Sequence, residues 1–196
     1  YSLDSGQSWT PLVSVGSSTS GSLTLPAGSY VSGQVVVEVQ DAAGNATRSV
    51  YANAVTVDTA APTVTSISAI GDATYVRGQS IYLVLQANEN LYVTTALDAS
   101  GNVIGPRLKL ALESTTARYA TYVSGSGTSN LTFKYTVASG DLDTNGIGLN
   151  ASAPLQFNSG TGGSSSITDQ AGHVIDTAAL QLNLNNVANA RLTGVK

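Results

Sequence analysis

The sequence contains no cysteine, no methionine and one histidine, and only 10% of its 196 residues are charged. Without cysteine there are no disulfides, and a single histidine excludes zinc sites rich in His or Cys. That histidine, His173, lies in a polar stretch and gives no basis for a Ser-His-Asp triad. No pair of carboxylates marks a cleft for glycoside hydrolysis. We therefore expect a protein that is not an enzyme.

Charge and hydropathy argue against two further classes of protein. Twelve acidic residues outnumber eight basic ones, which gives a net charge of −4. The sequence has no basic patch, so nucleic-acid binding is not expected, and a multivalent cation is the better charged partner. No apolar run approaches the length of a membrane-spanning helix, so membrane insertion is not expected either. The lack of cysteine fits an extracellular protein but is also common in the cytosol.

The residues that are abundant are typical of β-structure. Short runs of Val, Leu and Tyr recur between turns rich in Gly, Ser and Asn, and no window has helical periodicity. The clearest strand is 131–137, where Leu131, Phe133 and Tyr135 alternate with polar residues. A stripe at Ile81, Leu83 and Leu85 predicts another strand, which Asn88–Asn90 interrupts. Further strands are predicted at 35–40, 49–57, 108–112, 118–123 and 180–184.

The segment from Val39 to Pro62 divides the chain into two predicted modules. It contains a turn, Asp41–Asn45, then a strand, and then Asp58 directly before a short Thr-Ala-Ala-Pro joint. The first module, 1–60, has four or five strands, fewer than the roughly seven of a closed sandwich. The second, 61–196, has seven or eight strands, which suit a β-sandwich with Greek-key connections.

Several motifs carry a resemblance to a known family. The stretches Y-S-L-D-S-G-Q-S-W, L-P-A-G-S-Y, D-A-A-G-N and V-D-T-A-A-P-T-V are similar to the bacterial Ig-like, or cadherin-like, tandem repeats of large RTX-type biofilm adhesins. G-D-L-D-T-N-G-I, in the second module, is similar to a larger module of such proteins. The resemblance covers nearly the whole chain. It implies two tandem Ig-like Greek-key sandwiches, the first incomplete at its N-terminus, a location at the cell surface or in secretion, and calcium at junctions and turns.

Two groups of oxygen-bearing side chains are candidate calcium ligands, because calcium takes six to eight oxygens. The first group is Asp41, Asn45 and Asp58, at or near the joint. The second group lies in loops of the second module: Glu89, Asp141, Asp143, Asn145 and Asp169. Asp and Asn also stabilise turns by bonding their own backbone, and this alternative remains open for each residue.

Two positions depart from the pattern of the family. Asn145 stands where the acidic loop usually has a third Asp, and His173 stands where the second D-x-A-G turn usually has Asn. Both changes reduce the local negative charge or the quality of the ligand. A calcium site at either place is therefore expected to be weaker or absent.

When the C-terminal residues are placed directly before the N-terminal ones, the joined sequence resembles an uninterrupted stretch of one module. We expect an internal piece of a longer protein, either one period of a tandem array or a chain completed by strand addition. In both cases residues 177–196 of a preceding repeat or a neighbouring chain would complete the first module. The alternative is a fragment whose earlier residues were removed.

The expected function is a structural stalk or fibre repeat of a bacterial surface adhesin, stiffened by calcium and serving cell adhesion or biofilm formation. A second reading is a module at the adhesin tip that binds a glycan or peptide through exposed aromatics, with Tyr92, Tyr119 and Tyr122 as candidates. A third reading is an accessory sandwich of a secreted glycosidase.

Overall fold

The computed structural model describes residues 1–12, 21–69, 74–114, 116–177, 180 and 191–192. The chain forms two compact units, Tyr1–Thr59 and Ala60–Lys196, whereas the sequence placed the boundary one residue later. No described residue lies in an α-helix, which confirms the prediction of an all-β protein. Accordingly, the described part of the chain contains no helix with the length and apolar character needed to cross a membrane.

The first unit has four short strands in two separate antiparallel pairs. The strands are β1 (Gly28–Tyr30), β2 (Val36–Gln40), β3 (Ala46–Val50) and β4 (Val55–Val57). β1 pairs with β4 and β2 pairs with β3. Tyr30, Val35 and Val36 are its buried apolar residues among those described. An apolar groove of about 390 Å³ remains open in this unit, with Leu25, Val37 and Val55 among its lining residues.

Two predictions for the first unit are wrong in detail. The strand predicted for 49–57 is two strands, β3 and β4, because the two segments pair with different neighbours, β3 with β2 and β4 with β1. The alternation of Val35, Val37 and Val39 predicts one apolar face for β2, and this face is not continuous. Val35 is buried but Val39, on the same side of the strand, is 69% exposed, because the end of β2 extends past the small core.

The second unit is built around one large antiparallel sheet, which is curled. Its strands and those of the smaller pairs are β5 (Val64–Ala69), β6 (Thr74–Tyr75), β7 (Ser80–Thr94), β8 (Ala96–Leu97), β9 (Val103–Ile104), β10 (Arg107–Ala111), β11 (Arg118–Ser124), β12 (Thr128–Thr136), β13 (Gly148–Leu149), β14 (Leu155–Gln156), β15 (Ser159–Gly160), β16 (Gly163–Ser164), β17 (Ser166–Thr168) and β18 (Arg191–Leu192). The large sheet has the order β13-β10-β11-β12-β7-β17, with β14 also on β10 and β5 also on β7. The pairs β8–β9 and β15–β16 are antiparallel, and β18 lies parallel to β6.

The core of the second unit lies on one face of this sheet. Leu131 and Phe133 of β12 are fully buried, as the alternation in 131–137 predicted. They pack with Leu83 and Leu85 of β7 and with Leu108 of β10. Burial of each large apolar side chain contributes about 1.5–3 kcal/mol to folding. This face is therefore the main source of stability for the unit.

β7 is the central strand, and it is longer than the sequence predicted. The apolar stripe does not end at Asn88–Asn90; the strand runs through these residues for 15 positions. It continues because its neighbour changes there: β5 pairs with it up to Ala87, and β17 pairs with it from Tyr92. At the change, Asn88 exchanges backbone and side-chain hydrogen bonds with Thr63.

Of the strand predicted at 180–184, only Leu180 lies within the described residues. It is buried in the core of the second unit, with 3% of its surface exposed. Positions 182 and 184 lie outside the described residues.

Candidate metal sites

Asp41 and Asn45, from the first predicted group, are brought together in the turn between β2 and β3. Oδ1 of Asp41 accepts the backbone N–H groups of Ala43, at 2.9 Å, and of Asn45, at 2.8 Å. Oδ2 accepts a hydrogen bond from the side-chain amide of Asn45 at 2.8 Å. Gly44 takes a φ of 88°, which favours glycine at this place in the turn. The contacts seen here are those of a self-stabilised turn.

The same turn occurs twice in the second unit. The Asp98 carboxylate accepts hydrogen bonds from the backbone N–H of Ser100 and from the backbone and side chain of Asn102, at 2.8–2.9 Å. Asp169 accepts from the backbone of His173 at 2.8 Å, and its Oδ2 lies 2.7 Å from Nδ1 of the His173 ring. The imidazole thus takes the place of the asparagine amide. The sequence also predicts a turn at Asp98–Gly101, but its likeness to the turn at Asp41 was missed, although the shared pattern D-x-x-G-N, here ending at Asn102, is visible in the sequence.

The pKa values of these turn carboxyls follow from their hydrogen bonds. The side chain and backbone of Asn45 lower the pKa of Asp41, and Asn102 lowers that of Asp98 in the same way. For Asp169, burial raises the pKa, but the hydrogen bonds from His173 together outweigh it and the net shift is downward. All three therefore stay ionised at neutral pH, with their charge already solvated by the turn.

Asp58 and Glu89 occupy different surroundings. Asp58 is exposed and follows β4 directly, at the end of the first unit. Glu89 is half-buried within β7 and not in a loop, contrary to the prediction that placed it in one, because that strand continues through Asn88–Asn90.

Asp141 is buried and its charge is compensated. Its Oδ1 lies 2.6 Å from Nε of Arg118, and its Oδ2 accepts from the Tyr135 hydroxyl and from the backbone of Ala138 at 2.7 Å. The hydrogen bond to Asp141, together with the charge of that carboxylate, raises the pKa of Arg118. Burial first, and then the hydrogen bond to Asp141, raise the pKa of Tyr135. These contacts favour a structural role, since the guanidinium already supplies the positive charge that a metal would bring.

Asp143 is also buried, but no cation of the described residues forms an ion pair with it. Its Oδ1 accepts the N–H of Gly146 at 2.8 Å, and burial, helped by the nearby charge of Glu113, raises its pKa. Glu113 accepts a hydrogen bond from the Thr144 hydroxyl at 2.9 Å, and Ser114 has a buried hydroxyl oxygen with no partner. This loop, 113–114 with 143–146, contains side-chain oxygens of the kinds that bind divalent cations. Sequence reasoning missed Glu113 because it lies 30 positions from Asp143.

The remaining predicted ligand in this loop, Asn145, is exposed. Asp141, Asp143 and Asp169, predicted to meet at one end of the module, each have a different set of partners. Calcium at these residues stays a prediction.

The fold and its acidic loops define the class of an all-β protein of two successive compact units. Comparisons with family models, with curated proteins and with solved structures gave no match.

Proposed function

We propose that this chain is a structural repeat from the stalk or fibre of a bacterial surface adhesin, located outside the cell and serving cell adhesion or biofilm formation. In this proposal the units are Ig-like Greek-key sandwiches, and calcium stiffens the array. The observation that carries it is the division of an all-β chain into two successive compact units. Such an arrangement suits a tandem array in which every module has its own core.

The calcium part of the proposal is supported by the charge of particular side chains. Asp143 is buried, ionisable and uncompensated, with Glu113 close enough to raise its pKa. Asp58 is exposed and lies one residue before the end of the first unit. A divalent cation would offset the cost of burying Asp143 and would reduce repulsion between neighbouring carboxylates.

The test is thermal unfolding of the protein in calcium and in chelator. A ligand that binds only the folded state at a hundred times its Kd stabilises that state by about 2.7 kcal/mol. We expect calcium to raise the unfolding midpoint of the wild type. Asp143→Asn should remove most of this rise, because it keeps an oxygen for Gly146 but loses the charge.

The chain offers a matched control for the turn residues. Asp41→Asn and Asp98→Asn each lose the hydrogen bond from the asparagine side chain in the same kind of turn, but only Asp41 is a predicted ligand. If Asp41 binds calcium, only its variant reduces the calcium-dependent rise; equal effects would assign both residues to turn chemistry. A wild-type midpoint that is the same in calcium and in chelator would contradict bound metal altogether.

Strand addition is a separate part of the proposal. The open apolar groove of the first unit supports it, since an alternating apolar strand would cover that surface. Leu180 and the β18–β6 pair, however, hold part of the 177–196 segment on its own unit. Donation to another chain would require these contacts to be exchanged. Light scattering across a range of concentrations tests this version: concentration-dependent chains of molecules support it, and a constant monomer mass opposes it.

A second candidate function is a ligand-binding module at the adhesin tip. Of the three tyrosines predicted for it, Tyr92 is 37% exposed, and Tyr119 lies half-buried beneath Arg107 on the outer side of the sheet. Tyr122 packs edge-on against Phe133 and is turned toward the core. The observation that favours this candidate is the set of basic residues around Tyr119. Binding to a glycan array is its general test.

A further inference from the structure

The outer side of the large sheet gathers basic residues that are far apart in the sequence. Arg107 of β10 pairs with Thr121 of β11, Thr121 with Lys134 of β12, and Lys134 with Tyr82 of β7. These four residues form one row across four strands, on the side opposite the buried Leu108 and Phe133. The cationic face is defined by six residues: Arg107, Lys109, Tyr119, Thr121, Lys134 and Tyr82.

Three positive charges lie close together on this face. Neighbouring strands are about 4.8 Å apart, so the backbones of Arg107 and Lys134 are separated by about 10 Å. Lys109 is two residues along β10 from Arg107, at about 7 Å. Within the described residues, none of these three cations forms an ion pair. The sheet thus concentrates uncompensated positive charge on a protein whose net charge is −4.

The face also offers aromatic and hydroxyl groups. The Arg107 guanidinium lies over the Tyr119 ring, 4.0 Å from its centre, and its Nε donates to Gln156 at 3.2 Å. These contacts hold the guanidinium in place and leave its other N–H groups for a ligand. Tyr82 is 38% exposed and Thr121 is exposed. A ligand for this surface needs negative charge at intervals and flat apolar parts between the charges.

We propose that the cationic face binds an acidic polysaccharide of the polyuronate type, extended across the strands. Such a polymer carries one carboxylate per sugar, and the apolar face of a ring can pack on Tyr82, whereas Tyr119 holds the Arg107 guanidinium in place. Three cations suit this moderate charge density. Duplex DNA carries one charge per about 1.7 Å, and binding to it depends on many more phosphate contacts than three basic residues supply.

The inference rests on the second candidate function and not on the stalk or on calcium. Polyuronates bind calcium themselves, so the experiment is done in chelator, where bridging through the metal cannot contribute. A failure here with neutral sugars still bound on a glycan array would remove this ligand class and leave glycan recognition standing. A calcium-independent unfolding midpoint would remove the metal and leave this inference standing.

The experiment is titration calorimetry of the full chain with an oligogalacturonide, compared with its fully methyl-esterified counterpart. We expect saturable binding of the acid and none of the ester. The triple variant Arg107→Gln, Lys109→Gln, Lys134→Gln should weaken binding about tenfold or more, because each exposed charge contact is worth up to about 1 kcal/mol, or about fivefold. Tyr119→Leu should weaken it while leaving all three charges in place.

The matched control is Arg77→Gln, which removes one positive charge from an exposed turn before β7. It should leave affinity within about twofold of the wild type, whereas Lys134→Gln should not. Equal losses for the two variants would show attraction by overall charge and overturn the proposal. Tighter binding of a single-stranded oligonucleotide, or of vesicles containing anionic phospholipid, would overturn it in favour of that ligand. An absence of binding to the oligogalacturonide would overturn it outright.

Discussion

Asp141 shows how a single residue can carry much of the local energetics of a loop. Its carboxylate has partners on both oxygens, one from a strand of the sheet, Arg118, and one from the hydroxyl of Tyr135. Such a group stabilises the fold only while every partner is present, because a buried charge without compensation is costly. The contacts of Asp141 hold the start of the acidic loop in place relative to β11 and β12.

The first prediction concerns this ion pair. Arg118→Met keeps most of the packing volume but leaves Asp141 charged and buried, so the free energy of unfolding should fall by about 3–5 kcal/mol. Chemical denaturation measures it. Arg77→Met, in an exposed turn, should change stability by less than about 0.5 kcal/mol. Similar effects for both variants would mean that the pair contributes little.

The second prediction concerns the pH dependence caused by Asp143. Burial raises its folded pKa above the ordinary 3.8, so the folded state binds the proton more tightly than the unfolded chain does. In chelator, its ionised form costs stability at neutral pH, and this cost is relieved as the pH falls through the raised pKa toward 3.8. Asp143→Asn removes the cost, so in chelator the variant should be more stable than the wild type at pH 7.

The pH dependence of stability must be measured as the difference in free energy of unfolding between Asp143→Asn and the wild type. The pKa of Asp4 is lowered to about 2 by its hydrogen bonds with Ser8 and Ser2, and Asp41 and Asp98 are lowered as well. These groups stabilise the fold above their unfolded pKa and lose that contribution as the pH falls. They act equally in both proteins and cancel. The stability advantage of Asp143→Asn should shrink below the raised pKa, and an advantage that stays constant would contradict the assignment.

At the scale of the element, close approach of strands limits which residues fit. Gly160 of β15 faces Leu97 of β8, and a Cβ at Gly160 would lie 1.8 Å from the Leu97 carbonyl oxygen. That contact is with backbone, so no side-chain rotation can relieve it. The small sheets beside the main one therefore depend on glycine for their spacing.

The third prediction follows from this spacing. Gly160→Ala should lower the free energy of unfolding by about 1–3 kcal/mol, because the strands must move apart to admit the methyl group. Gly148→Ala is the control: it also lies in a strand, but its Cβ would meet Ala111 at 3.8 Å, an ordinary contact. Thermal melts of the two variants measure the difference. Equal midpoints would show that the β15 region adjusts freely.

How much of these elements could be predicted depends on the range of the interactions involved. The alternation in 131–137 is local, and it correctly predicted a strand whose Leu131 and Phe133 are buried. The length of β7 was missed because it is set by two partners that change at Asn88: β5, 14 to 23 positions away, and β17, 72 to 76 positions away. Turns formed by Asp and Asn within five residues could be predicted from the sequence. The approach of Glu113 to Asp143, and of Arg107 to Lys134, could not be predicted because it depends on which strands pair.

For the whole molecule, the two units differ greatly in their means of stability. The second has an extended core under an eight-stranded sheet, whereas the first has two strand pairs and an open groove. A chain of about 60 residues buries only about 60% of the surface that its unfolded form exposes, so it is marginal by itself. We therefore expect the two units to differ in stability when each is produced as a separate protein.

The fourth prediction tests this difference. A protein of residues 60–196 should fold cooperatively and keep most of the thermal midpoint of the large unit, because its core is self-contained. A protein of residues 1–59 should show little cooperative unfolding unless a strand is supplied to its groove. Thermal unfolding of the two proteins, followed by circular dichroism, measures this difference. A stable, cooperative 1–59 would contradict the description of that unit as incomplete.

The length of β7 has a mechanical consequence. At about 3.3 Å per residue its 15 positions extend roughly 50 Å, and β12 holds one edge while β5 and β17 share the other. If any one neighbouring strand is detached, the remaining neighbours still hold β7 through their hydrogen bonds. Tension along it must break many ladder bonds together instead of one after another. We therefore expect a force along β7 to unfold the sheet in one step, and only when that force is high.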